Sequence, residues 1–148
     1  MKTYVITLSK NFMKGHPKAG QPTMFKEKFL NKEKIHTIRG NYLLWKKRIK
    51  EVQEGKAILS IREWIGVPYK GKQVVIKDLT CDDDVGIQKL TFEGGNFGSQ
   101  FVDGVYCYSV LDTPAKNDGL SFEDFRDWFK RYNLSEPMAI IHFTPFRY

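Results

Sequence analysis

Cysteine is scarce in this 148-residue chain. Only Cys81 and Cys107 occur, and they form no C-x-x-C pair. Two separated thiols build no disulfide framework, so they read as reduced, partly buried side chains. Long apolar runs are also missing: none approaches the roughly 18 residues that cross a bilayer. The opening residues Met1 to Leu8 lack the apolar core and small-residue cleavage site of a secretory signal, and read as a first strand. These absences predict a cytoplasmic protein that does not enter a membrane. His16, His36 and His142 show no metal-ligand spacing with each other or with the cysteines. Asp82-Asp83-Asp84 lacks the alternation and distal Glu of a calcium loop. No metal or cofactor is expected. Repeats, low-complexity tracts and linkers are absent too, which predicts one domain over residues 1–148.

Charge and aromatics are abundant. The net charge is +7, and aromatic residues make up 14% of the chain. The charge is unevenly spread: residues 1–80 hold 18 Lys and Arg against 6 Asp and Glu, whereas residues 81–148 hold 6 against 11. A basic half beside a mildly acidic one attracts phosphate-bearing partners, or merely keeps the surface solvated.

Residues 3–8 alternate and are β-branched, as a strand requires. A basic Gly- and Pro-containing loop, Lys10 to Pro22, leads to Thr23, read as the N-cap of a helix over Met24 to Leu30. Asn41 caps a second helix, Tyr42 to Gln53, with Trp45, Ile49 and Val52 at helical spacing and Gly55 beyond its end. Strands are predicted over Lys56 to Trp64, Gln73 to Leu79 and Val85 to Glu93. A glycine-rich loop, Gly94 to Gly98, precedes an extended run, Phe101 to Val110, broken at Gly104. Ser121 opens a helix, Phe122 to Tyr132, and Met138 to Phe143 closes the chain as a strand. Short strands and three helices in mixed order predict an α+β fold: a small mixed β-barrel with peripheral helices.

Gly66-Val67-Pro68-Tyr69-Lys70-Gly71-Lys72-Gln73 comes within one residue of a phosphate-binding loop pattern. Gln73 stands where Ser or Thr should hold Mg²⁺, and the β-branched run that follows is no helix. It reads as a hairpin turn. Lys34-Ile35-His36-Thr37-Ile38-Arg39 is the richest polar cluster. Fully extended, it points Lys34 and His36 one way and Thr37 and Arg39 the other. A turn would instead converge Lys34 and Thr37 on an oxyanion or phosphate. The alternative is an edge segment whose long side chains lie along the surface. Ser60-Ile61-Arg62-Glu63-Trp64 is the second cluster. Arg62 and Trp64 share a face and suit stacking and hydrogen bonding to a base, or serve as a core tryptophan beside a surface ion pair.

At these residues the chain resembles the ASCH group of PUA-like barrels. The resemblance is carried by Lys34-x-x-Thr37-Ile38-Arg39, a following helix, Gly55-Lys56 opening a strand, Leu59-Ser60-Ile61-Arg62-Glu63-Trp64, and the closing strand Ala139-Ile140-Ile141-His142-Phe143. It resembles uncharacterised bacterial and phage-associated members over most of its length. The resemblance implies a PUA-like barrel with a cleft beside the Lys-x-x-Thr motif, and association with RNA, other nucleic acid or modified nucleosides. Some small members hydrolyse the acetyl amide of N4-acetylcytidine with a Lys, a Thr and a Glu on a later strand. Carried over, Lys34 would activate Thr37 for attack on the carbonyl. The Glu position falls on Lys77, which cannot shuttle a proton as a carboxylate does; Glu63 is the substitute.

The expected function is therefore an RNA- or nucleotide-binding module. Lys34, His36, Thr37, Arg39 and Arg62 would contact the ligand, and Trp64 or Tyr69 would stack. An amidohydrolase acting on an acylated nucleoside through Lys34, Thr37 and Glu63, and a protein-interaction module, are the alternatives.

Overall fold

The structure, a computed structural model, describes residues 1–95, 99–106 and 113–148. Among these, eight strands form two sheets and four helices flank them, giving an α+β fold. The first sheet places β1 (Lys2–Leu8) beside β3 (Ala57–Ile65), and β3 beside β4 (Lys72–Leu79). β1 and β3 are parallel, with Ile6 opposite Ile61. A parallel pair needs a crossover. Here that crossover contains α1 (Phe25–Leu30), β2 (His36–Arg39) and α2 (Tyr42–Gln53). The second sheet is antiparallel throughout, in the order β2, β8 (Met138–His142), β5 (Gly86–Phe92), β6 (Gln100–Val102) and β7 (Val105–Tyr106). Asp103 and Gly104 both take positive φ between β6 and β7, the conformation that a tight hairpin requires.

Helix α2 joins the two sheets. Asn41 accepts a hydrogen bond from Leu44 N at 3.4 Å, and Gly55 takes φ +73° beyond the helix end. Trp45, Ile49 and Val52 are buried on the face that meets β3, β5 and β8. Ser121 accepts from Asp124 N at 3.1 Å and starts α4 (Phe122–Phe129), which buries Phe125 and Phe129.

Several expectations change. Among the described residues the strands form two sheets, not a closed barrel; the edge strands β1, β4, β2 and β7 are not paired across to close one. A fourth helix, α3 (Thr113–Asn117), joins the three expected; one short turn leaves no hydrophobic periodicity. The first helix begins at Phe25 with Met24 as its cap residue. The Thr23 hydroxyl instead ties two loop strands, donating to Ser9 O at 2.5 Å while accepting from Phe25 N at 3.3 Å. The helix from Phe122 stops at Phe129, not Tyr132. The hairpin reading of residues 66–73 holds: residues 66–71 form the turn between β3 and β4, and Lys72 and Gln73 begin β4. Parts of the expected Gly94–Gly98 loop and Phe101–Val110 run, with Cys107, lie outside the described residues. No helix among the described residues is long and apolar enough to cross a membrane.

Candidate functional site

A cavity of about 440 Å³ lies where the end of β1, β2, the β3–β4 turn and α4 meet. Its walls are aromatic: Phe12, Phe25, Trp64, Tyr69, Trp128 and Tyr132. Its polar groups include Lys34, Thr37, Arg39 and Asp118, with Lys10 and Lys14 on the loop after β1. That loop is clipped to α4. Lys18 Nζ lies 2.7 Å from Asp124 Oδ2, and His16 Nε2 donates to Asp124 O at 3.1 Å while its Nδ1 accepts from Lys18 N.

Lys34 and Asp118 form the most buried ion pair of the described residues, at 2% and 5% side-chain exposure. Lys34 Nζ donates to Asp118 Oδ1 and to Asp118 O, both at 2.7 Å. It also sits 4.2 Å from the centroid of the Phe25 ring. Backbone bonding explains the meeting. Ile35 N donates to Asn117 O at 2.9 Å, so the entry to β2 is held against the end of α3, and the next residue after α3 is Asp118. Gly119 closes that turn at φ +83°, and a Cβ there would meet Lys34 Cβ at 3.4 Å. We expect Gly119→Ala to cost about 1–2 kcal/mol in urea unfolding, from the left-handed backbone alone. Burial lowers the Lys34 pKa, and the Asp118 carboxylate partly offsets the shift.

Strand β2 begins at His36, so the preceding Lys34 is freed from strict alternation. Lys34 and Thr37 then line the same cavity, along with Arg39, while His36 points elsewhere. The Thr37 hydroxyl has no hydrogen-bond partner among the described side chains and faces the cavity. His36 Nε2 lies 2.6 Å from Tyr148 Oη, whose oxygen also accepts from Asn117 Nδ2 at 3.0 Å. Its Nδ1 is 3.7 Å from Asp118 Oδ1, beyond hydrogen-bond length. Burial lowers the His36 pKa. This side chain is a fully buried structural group, set behind the carboxylate that faces Lys34.

Trp64 and Tyr69 reach the cavity, with ring centroids 5.5 Å apart. The register shift between Ile61 and Arg62 breaks β3 just before this segment. Arg62 does not line the cavity; it donates to Ser60 Oγ at 2.9 Å and Gln73 Oε1 at 3.2 Å. Glu63 lines a separate cavity of about 330 Å³ with Lys10, Asn11 and Phe25. Lys77 is exposed on β4 and lines neither. The carboxylate that meets Lys34 is thus Asp118, in place of Glu63 or a residue at position 77. Asp118, Trp128 and Tyr132 were not singled out from the sequence. Thr113-Pro114, with Pro near a helix start, and Gly119 beyond its end are the local signals that could have located Asp118 at a helix end.

No family model, curated protein or solved structure matches this chain.

Proposed function

We propose that this protein is an ASCH-like, PUA-like module that binds a nucleobase-bearing ligand, RNA or a nucleotide, in the cavity beside Lys34, Thr37 and Arg39. The observation that carries this reading is the composition of one cavity: flat aromatic walls over a floor of cations, a hydroxyl and a carboxylate. Aromatic faces hold bases by stacking, at about 1–3 kcal/mol per base. Polar groups at the floor read base edges or phosphate. The volume of about 440 Å³ is within the range of small-ligand sites.

Tyr69 supports the reading through its backbone. It is 87% exposed, and its φ is +66°, a conformation that suits Gly or Asn and costs a tyrosine about 1–2 kcal/mol. Its ring nevertheless lines the cavity beside Trp64. Local strain held at a ligand site is a recurrent functional device. Tyr69→Gly should leave urea stability unchanged or raised while weakening ligand binding about 5- to 100-fold. Equal binding by the variant would remove Tyr69 from the site.

Fluorescence anisotropy with short single-stranded RNA and DNA, across a salt series, tests the nucleic-acid reading. Binding at low salt that weakens steadily as salt rises is the expected result. Absence of binding by strands and by free nucleotides alike would refute it.

One observation favours a second reading, hydrolysis of an acylated nucleoside: a lysine–carboxylate pair shares the cavity with a threonine hydroxyl that has no hydrogen-bond partner among the described residues. In that reading Thr37 Oγ1 bonds to the amide carbonyl carbon and its proton passes to a neutral Lys34 amine. The C–N bond then breaks as Lys34 returns the proton to the leaving amine, and water cleaves the acyl-threonine ester by the same relay. Asp118 orients Lys34. Incubation with N4-acetylcytidine should release cytidine and acetate, and Thr37→Ala should abolish release. Unchanged release by that variant would overturn the mechanism.

A further inference from the structure

The cavity contains a cation with no matching anion among the described residues. Arg39 stands at the end of β2, and its Nη2 donates to Thr7 O at 2.7 Å. Its Nε is fully buried without a hydrogen-bond partner. It joins no ion pair among the described residues, and the carboxylate that acts on it, Asp118, is already held by Lys34 at 2.7 Å. With Lys10 and Lys14 at the loop, four cations and one carboxylate line the cavity.

A half-buried charge with no ion-pair partner among the described residues has lost part of its water, and guanidinium cannot relieve the cost by releasing its proton. Burial pulls the Arg39 pKa down, yet it stays charged at any physiological pH. An anion brought by the ligand would supply the missing partner. The planar fork of Arg matches phosphate oxygens, two donors at a time. The hydroxyl-bearing Tyr69 and Tyr132 line the same cavity.

We propose that Arg39 anchors a phosphate group of the ligand, so that the cavity takes a nucleotide in preference to the free nucleoside. The choice of a nucleotide rests on the base-binding reading above; the need for an anion rests on Arg39 itself. The phosphate is either the monoester of a mononucleotide or the diester of a strand.

Four probes separate these cases: nucleosides, their 5′-monophosphates, an RNA tetranucleotide without terminal phosphate, and phenyl phosphate. Binding is read by tryptophan fluorescence, since Trp64 and Trp128 line the cavity, and by calorimetry. Monophosphates should bind about 10- to 100-fold more tightly than their nucleosides. Arg39→Gln should bring monophosphates to the level of their nucleosides, and Arg39→Lys should recover part of the difference. If Arg39→Gln fails to fold, the wild-type ratio of monophosphate to nucleoside decides alone. Tetranucleotide binding that Arg39→Gln removes, with weak monophosphate binding, supports the anchor and assigns it to a strand diester. Phenyl phosphate binding that depends on Arg39, with no nucleotide bound, keeps the anion site and refutes the base-binding reading. Equal affinity for nucleosides and monophosphates with no Arg39-dependent binding of the tetranucleotide or of phenyl phosphate, or no binding by any probe, overturns the inference.

Discussion

Asp118→Ala should lower the folding free energy by about 3–5 kcal/mol, one of the two largest effects expected for this protein. Lys34 Nζ is almost wholly removed from water, and both of its short hydrogen bonds go to Asp118. The substitution removes the carboxylate and leaves an ammonium group with one backbone carbonyl and the Phe25 face. A chain of this length loses about 2–4 °C in melting temperature per kcal/mol, so a fall of roughly 6–20 °C is expected. The double variant Lys34→Met/Asp118→Ala removes both charges and should recover most of the loss, because a buried ion pair is worth little over apolar packing. The deficit also has a pH signature. Without Asp118, burial lowers the Lys34 pKa with less to oppose it, so the unfolded state binds more protons between the folded value and the ordinary lysine value. Stability of Asp118→Ala should therefore rise as pH climbs toward 10, where the wild type changes less. A cost under about 1 kcal/mol would show that water reaches the pair.

Acid should destabilise the fold well before its carboxylates titrate. His142 is fully buried, and burial, reinforced by His36 and Arg147, lowers its pKa to about 3. His36 is fully buried and lowered as well, with burial the main cause. Their geometry suits neutral rings. His142 Nε2 donates to Gln88 Oε1 at 3.0 Å, while His36 Nε2 is bound to Tyr148 Oη and its ring lies 5.5 Å from that of His142. An unfolded histidine titrates near 6.5. Below that pH the unfolded chain takes up protons that the folded chain refuses, so stability falls as pH falls from about 6.5 toward 3. The slope approaches about 1.4 kcal/mol per pH unit for each histidine, or about 3 for both. Urea unfolding at steps from pH 7.5 to 4.5 should reveal it, and His142→Gln should remove about half of the slope. A flat profile over that range would show that the rings are charged or solvated in the folded state.

Much of the local structure was legible in the chain. The spacing of Trp45, Ile49 and Val52, with Asn41 before and Gly55 after, specifies α2 because helical periodicity and capping act over a few residues. Ser121 marks α4 for the same reason, and the alternation of residues 3–8 marks β1. The limits are equally local. Strand alternation separated Lys34 from Thr37, whereas the strand begins only at His36 and both residues reach one cavity. Arg62 and Trp64 share a face by spacing, yet only Trp64 lines the cavity, since Arg62 is drawn to Ser60 and Gln73.

The sequence by itself determined where the helices and strands other than α3 form, and that Lys34 to Arg39 is rich in polar chemistry. Only the tertiary structure decided that the strands make two sheets, that Asp118 is the carboxylate facing Lys34 across 84 positions of chain, and that Arg39 joins no ion pair among the described residues. Propensity and capping are short-range and can be read from neighbours. The pairing of Lys34 with Asp118 depends on how β2 docks against the end of α3, and no spacing along the chain encodes that contact.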